Sequence, residues 1–368
     1  MVGRDPFFME RALLVAERGR GRTSPNPMVG AVVVSSDGVV VGQGAHLQAG
    51  GPHAEVVALD AAGRLARGAT LYCTLEPCRH VGRTGPCVER IVAAGIARVV
   101  IAAADPNPVA RGGAHDLRAH GIDVDEGVCE DAAVRQTASF RTWVTHKRPY
   151  GIAKAAATAD GFVGVPGRGV HITGEIADRF FHRQRAEIDA IAVGSGTVLA
   201  DDPRLTAREC YRFRPLIRVI VDWRVRVPAR AQVFSTLDAG PVIMVVLERE
   251  ASAKPQHVIA FERRGIVVER RDTRDLGGVF RWLAARDVVS VLIEGGPTLH
   301  EACAAEGLID RVQLAVSPKP LQGSDGMPLP AFMRDGQREW DRAAGRNIGR
   351  DRLIEWDVHG TDRSHGPR

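Results

Sequence analysis

Aromatic side chains are scarce in this chain of 368 residues, where they make up 5% of the sequence and include only three tyrosines. No block of basic residues carries interleaved aromatics, the pattern typical of surfaces that stack nucleic-acid bases. We therefore expect no nucleic-acid partner. The formal net charge of +5 suits an anionic small molecule as well, and a mixed, solvated surface is its simplest interpretation.

Cysteine is also scarce, and six cysteines are too few for a disulfide scaffold in a chain of this length. Two of them lie in a metal-like arrangement, so we expect a reducing, cytoplasmic environment. Apolar runs stay well short of the roughly 18 residues that span a bilayer. Residues 7–18 are broken by charge and predict an amphipathic helix instead of a signal peptide. We therefore expect no membrane partner.

Hydrophobic patterning predicts alternating strands and helices, the arrangement typical of α/β domains. Strands over residues 31–35 and 39–42 flank a Ser-Asp-Gly turn and predict a hairpin. Helices over residues 53–65 and 87–94 are each entered through a proline and followed by a glycine. A longer helix is predicted over residues 130–146.

The length allows two ordinary domains, and the polar, proline-bearing segment 145–150 predicts the boundary between them. We expect a first domain over residues 1–146 and a second over residues 147–360. The second domain begins with a predicted strand over residues 152–157 and is also α/β. The arginine-rich residues 361–368 are expected to be a disordered tail.

A zinc site is predicted from His53-Ala54-Glu55, Pro77-Cys78 and Pro86-Cys87. One imidazole and two thiolates form a three-ligand zinc set, which leaves a fourth position for water. The predicted start of a helix at Cys87 carries a partial positive charge that favours its thiolate. Glu55, in the first turn of its own predicted helix, is placed to move the proton of that water to a leaving ammonia.

Alternatives to a deaminase zinc site remain at this point. Zinc nucleobase deaminases carry H-x-E followed by P-C-x-x-C, whereas eight residues separate Cys78 from Cys87 here. His80 could replace a cysteine as a ligand, and a buried histidine with two core cysteines is the plainer interpretation. A purely structural zinc module is a further alternative, although Glu55 beside an open coordination position speaks against it.

The long motif set resembles the bifunctional deaminase/reductase family of bacterial riboflavin biosynthesis, over nearly the whole chain. That family shows the same eight-residue gap between the cysteines, and this chain has Gly85-Pro86 where relatives have two prolines. The matching runs are Pro25-Asn26-Pro27-x-Val29-Gly30, His53-Ala54-Glu55, Thr74-Leu75-Glu76-Pro77-Cys78, Gly82-Arg83-Thr84, Asp105-Pro106-Asn107-Pro108 and Thr197-Val198-Leu199-Ala200-Asp201-Asp202-Pro203.

The resemblance implies a cytidine-deaminase-like zinc domain followed by a dihydrofolate-reductase-like domain. The first would deaminate a diaminopyrimidinone ribosyl phosphate with one zinc ion. The second would use NADPH to reduce the ribosyl group of the product to ribityl. It also implies a homo-oligomer, a dimer or a tetramer.

In the first domain the resemblance implies a pocket for the pyrimidine and its ribose phosphate. An amide side chain can form hydrogen bonds with the edge of a base, and a guanidinium group can form charge-assisted hydrogen bonds with a phosphate. Taken singly, each of these residues could instead be an ordinary turn residue or a solvated side chain. The pocket residues are Asn26, His46, His80, Arg83, Asp105 and Asn107.

In the second domain, Gly295-Gly296-Pro297 joins a predicted strand to a helix and allows either a phosphate site or a plain loop. Lys154 interrupts an apolar strand and is either functional or an edge-strand lysine. The resemblance implies cofactor contacts from Ala156, His171, Thr197, Asp201, Trp223, Gly296, Pro297, Thr298, Leu299, His300, Glu301 and Ala302. It implies substrate contacts from Lys154, Asp160, Gly169, Arg185, Leu205, Arg208 and Glu294.

Three departures from the family pattern affect the predicted cofactor pocket. His171 stands where relatives have tryptophan, and Gly169 and Trp223 stand where relatives have serine. They leave open a rival hypothesis, in which the second domain binds a ligand or dimerises but does not catalyse reduction. An NADPH titration would distinguish the two hypotheses.

No G-x-G-x-x-G follows a predicted strand, which argues against a Rossmann domain. A nucleic-acid-editing deaminase is the second rival, and salt-dependent RNA binding would indicate it.

Overall fold

The computed structural model describes residues 2–79, 85–321, 325–335 and 345–358. The chain divides into two compact units, Met1–Lys147 and Arg148–Arg368, and each is built on its own sheet with helices against it. Within the described residues, no helix combines the length and the apolar character that crossing a membrane requires.

The first unit contains a mixed sheet whose strand order, among its described residues, is β2-β1-β3-β4-β5. Strands β1 and β2 form the predicted hairpin, β1 also pairs antiparallel with β3, and the remaining pairs are parallel. The strands are β1 (Gly30–Val34), β2 (Val40–Ala45), β3 (Thr70–Leu75), β4 (Arg98–Ala103) and β5 (Asp123–Glu126). The helices are α1 (Asp5–Ala16), α2 (Ala54–Ala62), α3 (Cys87–Ala94), α4 (Gly113–Ala119), α5 (Glu130–Gln136) and α6 (Ala138–His146).

Strand β1 is buried along its whole length because helices cover both faces of the sheet. Successive side chains of a strand point to opposite faces. Ala31 and Val33 therefore join the core beneath α2 and α3, while Val32 and Val34 join the core beneath α1. The sequence of β1, a continuous run of small apolar residues, is typical of a strand that is buried on both faces of its sheet.

One predicted helix agrees with the structure, and another is divided in two. Helix α3 matches its prediction residue for residue, whereas the predicted helix over residues 130–146 is two helices, α5 and α6, separated at Thr137. The buried Thr137 hydroxyl donates a hydrogen bond to the Ala133 carbonyl (2.8 Å). A threonine side chain that bonds back to the preceding turn competes with the helical ladder and bends it.

The second unit has a larger sheet of order β11-β10-β9-β8-β12-β6-β13-β16-β15 among its described residues. The pairs from β11 to β13 are parallel, and β16 and β15 complete the sheet antiparallel. The strands are β6 (Tyr150–Ala157), β7 (Phe162–Gly164), β8 (Ala190–Gly194), β9 (Ile217–Val221), β10 (Val242–Leu247), β11 (Val267–Arg271), β12 (Ser290–Ile293), β13 (Arg311–Val316), β14 (Met327–Pro328), β15 (Arg346–Ile348) and β16 (Asp351–Asp357). The helices are α7 (Glu175–Glu187), α8 (Ser195–Asp201), α9 (Glu248–Ala253), α10 (Pro255–Glu262), α11 (Leu276–Ala284), α12 (Pro297–Ala305) and α13 (Ala331–Asp335).

Strand β6 lies between β12 and β13, so Lys154 is not on an edge strand. Ala153, Ala155 and Ala157 enter the main core of the unit. Strand alternation places Lys154 and Ala156 on the other face, where both line a large cavity. The position of β6 therefore removes the edge-strand interpretation of this lysine.

Candidate functional site

The three predicted zinc ligands converge in the first unit. His53 is the residue that precedes α2, and Cys87 is the first residue of α3. Cys78 follows strand β3, after Glu76 and Pro77. The ligand atoms of His53, Cys78 and Cys87 all lie within 4.8 Å of one another. Two helix starts and one strand end thus bring together residues that are up to 34 positions apart.

The donor set fits a zinc ion. The Nδ1 atom of His53 lies 3.1 Å from Sγ of Cys87 and 3.5 Å from Sγ of Cys78. Zinc bonds of about 2.0–2.1 Å to nitrogen and 2.3 Å to sulfur, at a tetrahedral angle, hold the two donor atoms roughly 3.5 Å apart. Three protein ligands leave the fourth position that catalytic zinc sites keep open.

The two cysteines share a proton in an unequal way. A hydrogen bond from the Cys87 thiol lowers the pKa of Cys78 to about 4, with a further contribution from His53. The same contact, together with burial, raises the pKa of Cys87. The backbone N–H of Cys87 at the start of α3 also donates to Sγ of Cys78 (3.5 Å). The start of α3 therefore also supports the thiolate of Cys78, and the predicted thiolate of Cys87 as a zinc ligand stays a prediction.

Glu55 is buried, with 3% of its surface exposed, and lies in the first turn of α2. Burial raises the pKa of its carboxyl group, and Cys87 lies within hydrogen-bonding reach. A buried carboxyl group with a raised pKa can both accept and release a proton near neutral pH. The structure places this group against the metal ligands.

Asn26 and His46 form a connected pair near His53. The Pro52 carbonyl accepts a hydrogen bond from Nδ1 of His46 (3.0 Å), and Nδ2 of Asn26 lies 3.1 Å from Nε2 of His46. With its proton on Nδ1, His46 can accept from the Asn26 amide. Burial lowers the pKa of His46, which favours this neutral form. The ring of His46 packs edge-on against that of His53 (centroids 5.7 Å apart).

Asp105 and Asn107 form a turn after β4 that is held by buried hydrogen bonds. Oδ1 of Asp105 accepts from the N–H of Asn107 (2.8 Å). Burial raises the pKa of Asp105 to about 6, and the charges of Glu76 and Cys78 add to that rise. The electrostatic influence of Cys78 indicates that this turn lies near the metal ligands.

Glu76 was not among the predicted site residues, yet it organises this side of the site. Its buried carboxylate accepts three backbone N–H groups, from Asp105 (3.2 Å), Gly112 (2.9 Å) and Ala114 (3.1 Å). It thereby ties the Asp105 turn and the start of α4 to the strand end that leads into Cys78. An acidic residue directly after an apolar strand and just before Pro77 was the available sequence signal.

Glycine is required where α4 meets this strand end. A Cβ atom added to Gly113 would lie 1.8 Å from the Pro77 carbonyl oxygen, well inside any allowed contact. Two predicted residues of the same pocket, His80 and Arg83, lie outside the residues that the structure describes.

The second unit contains a cavity of about 940 Å³ at the carboxyl ends of its parallel strands. Ligands of open α/β sheets bind at this edge. Most of the predicted reductase residues line it. They are Lys154, Ala156, His171, Arg185, Thr197, Asp201, Leu205, Arg208, Trp223, Glu294, Gly296, Pro297, Thr298, Leu299, His300 and Ala302.

A partly buried ion pair lies at one end of this cavity. Arg185 of α7 donates to both carboxylate oxygens of Glu294 (2.7 and 2.5 Å). Burial raises the pKa of Glu294, but Arg185 and Lys154 outweigh it and hold the pKa at about 2. Nζ of Lys154 lies 4.3 Å from the ring centroid of Phe181, and burial lowers its pKa. These groups present fixed charges to a bound ligand.

The glycine-bearing turn before α12 is also held by hydrogen bonds. The Gly296 N–H donates to the hydroxyl of Thr197 (3.2 Å), so it is engaged within the protein. A Cβ atom on Gly295 would lie 2.9 Å from the Leu299 side chain. His300 is buried and donates from Nε2 to the Ile293 carbonyl (2.9 Å), and burial lowers its pKa to about 4. The turn is therefore a packed junction, and the start of α12 borders the cavity.

Three predicted reductase residues do not line the cavity. The Asp160 carboxylate accepts from the Thr158 hydroxyl (2.5 Å) and the Leu321 N–H (3.0 Å). Glu301 accepts from the Ala331 N–H. A Cβ atom on Gly169 would lie 2.8 Å from Oδ1 of Asp201, so this glycine touches a lining residue. Their predicted contacts with ligands stay predictions.

His182 of α7 was missed by the sequence reasoning, although it lines the cavity. Its Nδ1 accepts from the Arg208 N–H (3.4 Å) and lies 3.5 Å from Nη1 of Arg185. Burial and the charges of both arginines lower its pKa. Its place one helical turn before Arg185 was the only available signal.

Two family models match the chain. The cytidine and deoxycytidylate deaminase zinc-binding region matches residues 3–103. The RibD C-terminal domain matches residues 149–336. The order of these matches confirms the predicted fold class, an α/β cytidine-deaminase-like domain followed by a dihydrofolate-reductase-like domain.

Curated relatives extend over most of the chain. The riboflavin biosynthesis protein RibD of Aquifex aeolicus is 40% identical over 317 residues, which cover 86% of this chain and 87% of the relative. The Escherichia coli RibD is 38% identical over 339 residues, with coverage of 88% and 90%.

Solved structures agree. The structure of Acinetobacter baumannii RibD has a TM-score of 0.81 at 32% identity and covers 98% of this chain and 100% of its own. A diaminohydroxyphosphoribosylaminopyrimidine deaminase/5-amino-6-(5-phosphoribosylamino)uracil reductase from Thermotoga maritima has a TM-score of 0.81 at 33% identity, with coverage of 96% and 98%. The chain belongs to the RibD family, the bifunctional zinc-dependent deaminases and NADPH-dependent reductases of riboflavin biosynthesis.

Proposed function

We propose that the first unit deaminates a diaminopyrimidinone ribosyl phosphate at a zinc ion held by His53, Cys78 and Cys87. The observation that carries the proposal is the convergence of these three donor atoms within 4.8 Å against the buried carboxyl group of Glu55. When bound, the zinc ion makes water acidic enough to act as a nucleophile at neutral pH.

Glu55 serves as the proton carrier of this reaction. Its carboxylate takes a proton from the attacking water and delivers it to the amine that leaves as ammonia. A buried position with a raised pKa supports both halves of this cycle, because the group is then a stronger base and can still return the proton.

Asn26, His46, Asp105 and Asn107 would hold the pyrimidine and its ribose. Hydrogen bonds within the protein fix the Asn26–His46 pair and the Asp105 turn, which supports a pre-arranged pocket. We assign the phosphate to His80 and Arg83, which lie in the sequence between the two cysteines and outside the described residues.

The second unit reduces the ribosyl group with NADPH. When bound, NADPH would supply a hydride for C1′ of the sugar, as the bond from C1′ to the ring oxygen opens and that oxygen takes a proton. Lys154 and the Arg185–Glu294 pair would position the sugar, supported by their place in the cavity beside the start of α12. Every assigned cofactor contact except Glu301 lines the same cavity, which supports one continuous site.

We also propose that the protein acts on small molecules alone, as a homo-oligomer in the cytoplasm. The six cysteines are all free thiols, which suits a reducing compartment. The domain assignment is residues 1–146 for deamination and 147–360 for reduction. The predicted tail, residues 361–368, lies beyond the part of the chain that the structure describes.

The test replaces Glu55 with alanine and measures ammonia release, zinc content and NADPH oxidation on one preparation. We expect ammonia release to fall by at least about 10²-fold, the typical contribution of a general base, with zinc content retained and with NADPH oxidation retained when the deaminated ribosyl phosphate is supplied directly. Glu89→Ala, an exposed acidic position on α3, is the matched control. Full deamination in Glu55→Ala would refute the assignment, and failure to bind NADPH would favour a non-reducing second unit.

A further inference from the structure

His300, in the first turn of α12, is a buried histidine that lines the cavity of the second unit. Only 2% of its surface is exposed, and its Nε2 lies 2.9 Å from the carbonyl oxygen of Ile293 on β12. A carbonyl oxygen can only accept a hydrogen bond, so Nε2 carries the proton of the ring. The backbone of β12 therefore fixes which nitrogen of His300 is the donor.

The other ring nitrogen, Nδ1, is an acceptor that opens onto the cavity. Burial lowers the pKa of His300 to about 4, so the ring is neutral at neutral pH and Nδ1 keeps its lone pair. Within the part of the chain that the structure describes, Nδ1 has no hydrogen-bond partner, and protein atoms do not enclose it. A neutral acceptor in this position favours a ligand group that donates a hydrogen bond.

Strand register places this acceptor beside the reacting end of the cavity. Ile293 is paired with Ala153 of β6, which directly precedes the cavity-lining Lys154. Besides burial and the hydrogen bond to Ile293, the charges of Lys154 and Glu294 act on the pKa of His300. Lys154, Glu294 and His300 therefore surround the position that we propose for the sugar.

The donors and acceptors at this end match a hydroxyl group, which donates one hydrogen bond and accepts others. The Lys154 ammonium can only donate, and the Glu294 carboxylate already accepts two hydrogen bonds from Arg185. Nδ1 of His300 supplies an acceptor that is not engaged within the protein. The hydroxyl nearest to C1′ of a ribosyl group is on C2′, and it can accept from Lys154 while it donates to His300.

We propose that Nδ1 of His300 binds the 2′-hydroxyl of the ribosyl group and makes the reductase select ribosyl over 2′-deoxyribosyl substrates. The assignment rests on the proposed function of the second unit. A site built to bond a hydroxyl rejects an analogue that lacks it, because the buried polar groups of the site then lose their partner. His300 would thus be a specificity-determining residue of the reduction.

The experiment measures kcat/KM of the full chain for the deaminated ribosyl phosphate and for its 2′-deoxy and 3′-deoxy analogues, each supplied directly with NADPH. His300→Gln keeps a donor that can reach Ile293 but has no acceptor at the position of Nδ1. His300→Asn keeps an acceptor there but does not reach Ile293. His257→Gln is the matched control, because His257 also donates from Nε2 to a backbone carbonyl, that of Val227 (2.8 Å), and does not line the cavity.

A binding measurement accompanies the kinetics. Calorimetric titration with ribose 5-phosphate and 2-deoxyribose 5-phosphate reports the same preference without turnover, also in a variant that does not reduce. A difference between a His300 variant and the wild type belongs to the second unit, because the first unit is unchanged.

We expect the wild type to prefer the ribosyl substrate over its 2′-deoxy analogue by roughly 10- to 100-fold in kcat/KM, the effect of leaving buried polar groups without a partner. His300→Gln should lower kcat/KM for the ribosyl substrate by a similar factor and reduce the preference to less than about threefold, since hydroxyl and acceptor act as one pair. His300→Asn should retain most of the preference, and His257→Gln should match the wild type. The 3′-deoxy analogue should lose the same factor in every variant.

An unchanged 2′-deoxy preference in His300→Gln would overturn the proposal, and a raised KM for NADPH in that variant would then assign Nδ1 to the cofactor. A loss of preference for the 3′-hydroxyl instead of the 2′-hydroxyl would overturn it as well. A wild type that reduces the ribosyl and 2′-deoxy substrates equally would overturn it while the proposed function stands. A wild type that does not oxidise NADPH with the ribosyl substrate would refute the proposed function itself.

Discussion

Glu76 offers the sharpest test of how the deaminase site is held together. Replacing it with glutamine keeps the shape of the side chain but changes one acceptor into a donor. Oε1 receives two N–H groups, from Gly112 and Ala114, and Oε2 receives one, from Asp105. Glutamine can place its carbonyl in the first position, so its NH₂ group then faces the N–H of Asp105.

The expected magnitude follows from that single lost contact. A hydrogen bond to a charged group contributes about 1.5–3 kcal/mol, and a buried donor left unpaired costs a similar amount. Without this hydrogen bond the turn that carries Asp105 and Asn107 would be less well held. Part of the free energy of substrate binding would then be spent on ordering the turn. We therefore expect KM for deamination to rise roughly 10- to 100-fold, with a smaller fall in kcat.

The assay measures ammonia release against substrate concentration in Glu76→Gln, with zinc content and NADPH oxidation on the same sample. Zinc should stay bound because none of its three ligands is altered. Reduction in the second unit, assayed with the deaminated ribosyl phosphate supplied directly, serves as an internal control. Glu89→Gln controls for loss of a carboxylate near the site. An unchanged KM would refute the positioning role, and equal loss of both activities would show general misfolding instead.

Three further predictions concern the metal, pH and stability. Cys87→Ser or treatment with a chelator should abolish ammonia release and leave NADPH oxidation intact when the deaminated ribosyl phosphate is supplied directly, with both activities measured side by side. The pKa of Glu294 is lowered to about 2 from its ordinary 4.5, so its contribution to stability is complete above about pH 4.5 and is lost as pH falls toward 2. Melting curves of the wild type should drop across that range more steeply than those of Glu294→Gln, and parallel curves would contradict this. The fully buried Arg218 donates to the Thr236 hydroxyl (2.7 Å) and the Gly240 carbonyl. Arg218→Ala should therefore lower the free energy of unfolding by about 3 kcal/mol, and exposed Arg263→Ala by less than about 0.5 kcal/mol, measured by urea titration.

The metal site could be predicted from sequence because its signals are local. Histidine and cysteine identify zinc by ligand chemistry, and the prolines before His53 and Cys87 mark helix starts. The family resemblance then accounted for the domain order and both cofactors. The break between α5 and α6 escaped prediction because it depends on the orientation of the Thr137 hydroxyl, which the apolar pattern does not encode.

Contacts between distant segments were decided by the tertiary structure alone. The three N–H groups that Glu76 accepts come from residues 29, 36 and 38 positions later, and no local pattern relates them. From the sequence, Lys154 could be either an edge-strand lysine or a functional one. The strand order places β6 inside the sheet and removes the first interpretation.

The sequence by itself indicated the chemistry of this protein: which residues would bind zinc, which carboxyl group would carry the proton, and that two α/β enzymes follow one another. Only the tertiary structure decided which residues hold those groups in place and which strand ends border the cavity of the second unit. The physical reason is that ligand chemistry and helix starts reside in a few adjacent residues, whereas parallel strands bring together the carboxyl ends of segments far apart in the chain.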